Sequence, residues 1–177
     1  MEAPGLIETQ RLYLRKPLLS DAEAIYKGYA RDRDVVRYLI WLPHQSIEET
    51  SDFLGTCIQA WQGGSTFPYV IERKDDHQLL GMIEARIDRH TADIGYVLAK
   101  AFWGQGYMPE ALKPVTELIL AQPEVYRIGV LCDVDNVASA RVMEKVGMQR
   151  EGLLRRRLIH PNVSAEPRDA YLYSIIK

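Results

Sequence analysis

The chain has 177 residues, 22 basic and 24 acidic, for a net charge of −2, with 47% hydrophobic and 26% charged residues. That balance excludes the electrostatic footprint of a nucleic-acid or anionic-membrane binder, and no apolar run approaches the ~18 residues of a membrane span. A chain this long buries roughly 70% of its unfolded surface. We therefore expect one soluble, cytoplasmic domain over residues 1–177, with residues 1–5 flexible and no leader ahead of it. Cys57 and Cys132 are the only cysteines, and their spacing fits neither a metal site nor a redox motif, so no metal is expected.

The elements follow in chain order. Leu12 and Leu14 alternate with Tyr13 and Arg15, which predicts a first strand over 11–16. Ser20-Asp21-Ala22-Glu23 has the capping-box pattern and predicts a helix start, and Ser46-Ile47-Glu48-Glu49 repeats it. Behind the second signal, Phe53, Leu54, Cys57, Ile58 and Trp61 share one helical face that ends at Gly63-Gly64. Three strands are predicted near 67–73, 79–88 and 92–98, joined by turns at Asp75-Asp76-His77 and Arg89-His90-Thr91 into an antiparallel meander.

A helix over 106–121 comes next, with Met108, Ala111, Leu112, Val115 and Leu118 facing inward. Pro109 suits its first turn, whereas Pro114 removes an interior hydrogen bond and predicts a kink. Ile128-Gly129-Val130-Leu131-Cys132 is apolar on both faces, as a covered central strand is. A helix capped by Asn136 and closed by Gly147 leads to strands near 149–158 and 169–176. The fold class expected is α/β: a mixed, mostly antiparallel sheet with helices on both faces.

The most informative stretch is Trp103-Gly104-Gln105-Gly106-Tyr107-Met108-Pro109-Glu110-Ala111. A glycine loop that opens a helix directly after a strand presents unpaired backbone N–H groups at a partially positive helix end, a ready site for phosphate. With it come Glu8-Thr9-Gln10-Arg11-Leu12, Asp93-Ile94-Gly95-Tyr96, Asn136-Val137-Ala138-Ser139, Gly147-Met148-Gln149-Arg150-Glu151-Gly152 and Arg168-Asp169-Ala170-Tyr171-Leu172-Tyr173-Ser174. In this order the segments resemble the GCN5-related N-acetyltransferase (GNAT) superfamily. They are most similar to its RimJ/RimL-like branch, which includes ribosomal-protein N-terminal acetyltransferases. The phosphate-loop pattern of the superfamily, Gln/Arg-x-x-Gly-x-Gly/Ala, is met strictly only at Gly106, since Trp103 and Met108 occupy the other fixed positions.

The resemblance implies a splayed-strand cleft for acetyl-CoA lined by Tyr96, Val97, Leu98, Trp103, Gly104, Gln105, Gly106, Tyr107, Met108, Asn136 and Ser139. It implies a backbone amide at Val97, with Leu98 alongside, as an oxyanion-type donor to the thioester carbonyl. Ser139 is the residue expected to assist the leaving thiolate, and Asn136 to hold the pantetheine arm. For the general base the first choice is Asp93, acting through water, and the second is Glu84. The closing-strand position where some relatives carry a glutamate is Leu158.

An acyl-cysteine route through Cys132 is disfavoured, because no histidine stands at a recognisable partner position. His44, His77, His90 and His160 read as solvated loop residues. The acceptor is expected in a groove between 30–41 and 159–168, where Tyr29, Tyr38 and Trp41 are candidate lining residues. Its identity stays open between a protein N-terminus and a small amine such as an amino sugar, polyamine or antibiotic, and a non-catalytic acyl-CoA-binding module is the reading from another class. The protein is expected as a monomer or homodimer.

Overall fold

The computed structural model describes residues 3–177. Eight strands form one sheet in the order β1-β2-β3-β4-β5-β6-β8-β7. They are β1 (Leu6–Glu8), β2 (Leu12–Arg15), β3 (Thr66–Arg73), β4 (Leu79–Asp88), β5 (Thr91–Leu98), β6 (Arg127–Asp133), β7 (Gln149–Leu158) and β8 (Arg168–Ile176). Every pairing is antiparallel except β5 with β6. The helices are α1 (Ala22–Ile25), α2 (Arg33–Val36), α3 (Ile47–Gly63), α4 (Tyr107–Leu120) and α5 (Val137–Lys145). α1 and α3 pack together, as do α4 and α5, so the sheet lies between two helical layers. Among the described residues no helix is long and apolar enough to cross a membrane.

Several local expectations hold for the reasons given. Ser46 caps α3 by accepting from the Glu49 N–H, and Gly64 closes the helix in the left-handed region at φ 70°. Asn136 caps α5 by accepting from the Ser139 N–H. α4 presents Met108, Ala111, Leu112, Val115 and Ile119 to the core, with Ile119 buried rather than Leu118, and it continues through Pro114.

Other local features differ from what the sequence suggests. The sheet has an unforeseen edge strand, β1, and residues 4–5 are tied down: Pro4 C=O accepts from Tyr69 Oη and Gly5 C=O from the Lys16 N–H. Met1 and Glu2 lie outside the described residues. At the first helix start, Ser20 is not the cap. Asp21 instead turns back to accept from the Leu18 N–H and from both terminal nitrogens of Arg15, which pins a short 3-10 turn ahead of α1. The segment after α1 is a π-type turn over Tyr26–Ala30.

Gly81 fixes how closely β4 meets β5. A Cβ on it would stand 2.1 Å from the Val97 carbonyl oxygen, a backbone atom with little freedom to yield. Gly81→Ala is expected to destabilise by about 1–3 kcal/mol, the usual range for forced overpacking. A lowered denaturation midpoint in urea checks it, and an unchanged midpoint counts against this reading of the close approach.

Candidate active site

The sheet is continuous from β1 to β5 and from β6 to β7, but β5 and β6 share only the register Thr91↔Arg127, Ala92↔Ile128 and Asp93↔Gly129. Beyond Asp93 the two strands part. The opening leads into a cleft of about 1720 Å³, bounded by the loop before α4, the start of α5, and segments from 25–44 and 154–160.

One wall is the glycine loop. Gly104 and Gly106 adopt φ values of 76° and 79°, a region that suits residues without a Cβ. Gly106 is the N-cap of α4 and offers no side-chain cap, and the N–H groups of residues 104–108 find no backbone acceptor among the described residues. The Trp103 indole donates to Leu98 C=O (2.7 Å), which ties the loop to the end of β5.

The loop also carries a cation that the motif pattern did not show. The Arg11 guanidinium donates to Gln105 C=O (3.2 Å), lies 4.3 Å from the Tyr107 ring centroid, and reaches within 3.6 Å of where a Cβ on Gly106 would stand. Glu110 holds it there at 2.6 Å while also accepting from the Thr9 hydroxyl and the Arg11 N–H. Burial alone would raise the Glu110 carboxyl, but these bonds outweigh it and hold it below its ordinary range.

On β5 the backbone directions settle which amides face the gap. The Ala99 N–H donates to Leu80 C=O (2.8 Å) on the β4 side, whereas Leu98 C=O is taken by Trp103 on the other. Backbone polar groups alternate along a strand, so Val97 turns its own toward its partner Met82. The oxyanion-type donor expected at Val97 is thus committed to the ladder. The amides of Tyr96 and Leu98 face the opening instead.

Side chains divide in the same way. Tyr96 shares a face with Ile94 and Leu98, while Asp93, Gly95 and Val97 lie on the other. The Tyr96 hydroxyl lies 2.7 Å from Ser139 Oγ and 3.2 Å from the Ser139 carbonyl oxygen, so it spans the splay from β5 to α5. Burial pushes the Tyr96 phenol well above its ordinary range, against a smaller opposing effect of the Ser139 bond. Ser139 and Tyr96 are therefore brought together. Asn136 uses its Oδ1 in the cap, accepting from the Ser139 N–H at 3.2 Å.

The two carboxylates expected as bases are both engaged elsewhere. Arg86 binds Asp93 Oδ1 and, at 2.5 Å, Glu84 Oε1. Asp93 also sits at the closed root of the splay, about 10 Å along the strand from Tyr96 and on the opposite face.

Cys132, the last residue but one of β6, lies beside this site with its thiol pushed up to about 11, chiefly by burial. That leaves little thiolate near neutral pH, in keeping with the disfavoured acyl-cysteine route. Two histidines depart from the expected solvated state: His44 hydrogen-bonds Thr50 at 2.7 Å, and His160 is 3% exposed. Asn162 donates to the carbonyls of Val36 (2.8 Å) and Trp41 (2.7 Å), so the two segments expected to frame an acceptor groove do meet.

A mixed sheet split at the parallel pair, with a glycine-rich helix start at the split, is the architecture that the sequence resemblance to the GNAT superfamily implied. Residues 11–149 match the acetyltransferase (GNAT) domain family, and the chain belongs to that family. It is 33% identical over 175 residues to the uncharacterized N-acetyltransferase YoaA of Bacillus subtilis (strain 168), covering 97% of each chain. Among solved structures it is similar to a GNAT-family acetyltransferase from Bacillus anthracis, with 29% identity, 97% and 98% coverage and a TM-score of 0.84. It is also similar to RimL, the ribosomal L7/L12 α-N-protein acetyltransferase solved with coenzyme A, with 25% identity, 97% coverage of both chains and a TM-score of 0.86.

Proposed function

We propose that the chain transfers an acetyl group from acetyl-CoA to the α-amine of a protein N-terminus by direct attack. The observation that carries this is the opening between β5 and β6, flanked by the free amides of residues 104–108 on one side and the Tyr96–Ser139 pair on the other. The residues present fit the donor. Gly104 and Gly106 let backbone approach a pyrophosphate, Arg11 adds positive charge behind the loop, and the Tyr96 and Leu98 amides are placed to bind along the opened strand. When bound, acetyl-CoA supplies a thioester carbonyl for attack and a thiol as leaving group.

Within that reading, Ser139 supports the departing thiolate by a hydrogen bond, and Tyr96 holds the Ser139 hydroxyl in place. The likeness to RimL over 97% of both chains supports a protein N-terminus as acceptor. So does the chemistry: an α-amine, with a pKa near 7.8, is about 2.6 units easier to deprotonate than a lysine, worth roughly 3.5 kcal/mol. Thiol release from acetyl-CoA tests the reading across a panel of peptides with free N-termini, polyamines and amino sugars. The peptides should lead by at least tenfold in kcat/KM. A polyamine or amino sugar leading instead moves the acceptor to the small-molecule class, and no release with any amine leaves a non-catalytic acyl-CoA-binding module.

Arg141 and Lys145 stand one turn apart on the face of α5 that lines the cleft, and neither is ion-paired among the described residues. They are suited to the phosphates of the donor's nucleotide end. Replacing both by Gln should raise KM for acetyl-CoA about 3- to 10-fold with kcat unchanged, as exposed charge pairs are worth roughly 0.2–1 kcal/mol each. The effect should shrink as salt is raised. A KM that stays at the wild-type value in low salt removes these two residues from the site.

A further inference from the structure

His160 lies in the connection between β7 and β8 and lines the cleft, yet it is 3% exposed, and among the described residues neither ring nitrogen has a well-aligned hydrogen-bond partner, although the Leu39 backbone lies close enough to favour the protonated ring. Buried polar atoms in this state are rare in folded proteins and call for an explanation. Its Nε2 stands 3.7 Å from Oδ2 of Asp133, which ends β6 and is itself 1% exposed. Asp133 is held by Arg168 of β8 at 2.6 and 3.0 Å and by the Asp135 N–H at 2.9 Å. The Tyr38 ring packs edge-on against His160 with centroids 5.9 Å apart. The charged and titratable groups facing it are thus Asp133, Arg168 and Tyr38, with the Leu39 backbone alongside.

The sheet register adds a directional constraint. Asp133 falls on the same face of β6 as Gly129, the partner of Asp93, whereas Tyr96 and its partner Ser139 lie on the other face. The His160–Asp133 pair and the Ser139 hydroxyl therefore flank the splay from opposite faces. Transfer across an opening in a sheet needs this division, with the amine entering from one side and the thiol leaving on the other. The His160 side is also the side of the 36–41 segment, to which Asn162 anchors the same connection.

We propose that His160, backed by Asp133, is the proton acceptor for the attacking amine, a role that rests on the acetyltransferase reading above. As the nitrogen–carbon bond to the acetyl carbonyl forms, the proton on that nitrogen passes to the imidazole. The carbon–sulfur bond breaks, and the electron pair leaves on the thiolate. The imidazolium that results is stabilised by Asp133 and returns its proton to water. Burial pushes the imidazole below its ordinary range, Asp133 and the Leu39 backbone oppose this, and Arg168 adds to the depression. The ring is therefore neutral, and able to accept, at neutral pH.

The first test needs no turnover. The chain has four histidines, so their imidazole resonances can be assigned by single substitution and titrated by NMR in the free protein. His160 should titrate below 6.5 and shift on addition of an acceptor peptide. A ring that titrates like a solvated histidine, or is indifferent to the peptide, overturns the proposal. The second test is His160→Gln, with His160→Asn as the alternative variant if the first does not fold. kcat/KM at pH 7 should fall 100-fold or more, the low-pH limb of its pH profile should disappear, and the acetyl-CoA dissociation constant should stay unchanged. The deficit should narrow for acceptors with less basic amines. A variant within threefold of wild type, with the same low-pH limb, overturns this role alone. Failure of the wild type to acetylate any amine overturns the function proposed above and this role with it.

Discussion

Gly106→Val is expected to weaken acetyl-CoA binding by an order of magnitude or more. Two effects act in the same direction. At φ 79° a β-branched residue is a genuine outlier, and the left-handed region costs an L-residue about 1–2 kcal/mol. The substitution also places a branched side chain where the amides of residues 104–108 must approach a phosphate closely. Space on the protein side is not the obstacle, since the nearest atom to a new Cβ is Arg11 Nη2 at 3.6 Å. Gly106→Ala should therefore show a smaller loss, reflecting mainly the backbone term. Titration calorimetry, with circular dichroism to confirm the fold, measures both variants. Wild-type affinity in a folded Gly106→Val protein would remove the phosphate site from this loop.

Ser139→Ala is expected to lower kcat by roughly 5- to 150-fold, the equivalent of about 1–3 kcal/mol for one hydrogen bond made to a developing charge. The acetyl-CoA dissociation constant should barely move, which is the pattern of an interaction stronger in the transition state than in the ground state. A purely structural role for Ser139 predicts lost thermal stability instead. The structure separates the two, because the side chain that caps α5 is Asn136 and the Ser139 contribution to that cap is its backbone N–H. Tyr96→Phe removes the hydroxyl 2.7 Å from Ser139 Oγ and should lower kcat by a smaller factor. In the double variant it should add little to Ser139→Ala, since the phenol acts through the serine. Single-turnover thiol release measures all three. A Ser139→Ala enzyme with the kcat of wild type leaves the backbone amides and placement as the only catalytic devices.

The parts of this site that could be read from sequence are those written in short stretches of chain. The glycine loop and the Asn136 cap with Ser139 in the first turn behind it follow from local turn chemistry, whereas edge strand β1 and the β6-β8-β7 order of the sheet do not. What is not legible depends on partners that only the folded register supplies. Which way the Val97 amide points is decided by its register against Met82, not by its own side chain. Asp93 and Glu84 looked available until Arg86 was found holding one oxygen of each. Arg11 reaches the loop only because Glu110, 99 residues away, fixes its guanidinium. A lone histidine in a polar loop carries no mark of burial. His160 is buried by a connection whose anchor, from Asn162 to Val36, spans 126 residues.

That anchor makes the rim of the cleft a coupled device. One amide group satisfies two carbonyls on the facing segment, so neither stretch can be altered as though it were independent. Exchanging residues 159–167 for a loop of another shape, in pursuit of a new acceptor, would also release the Val36 and Trp41 carbonyls and let the opposite rim drift. A change of specificity would then have to be made as a matched pair of segments, carried together with the asparagine or with a replacement donor in its position.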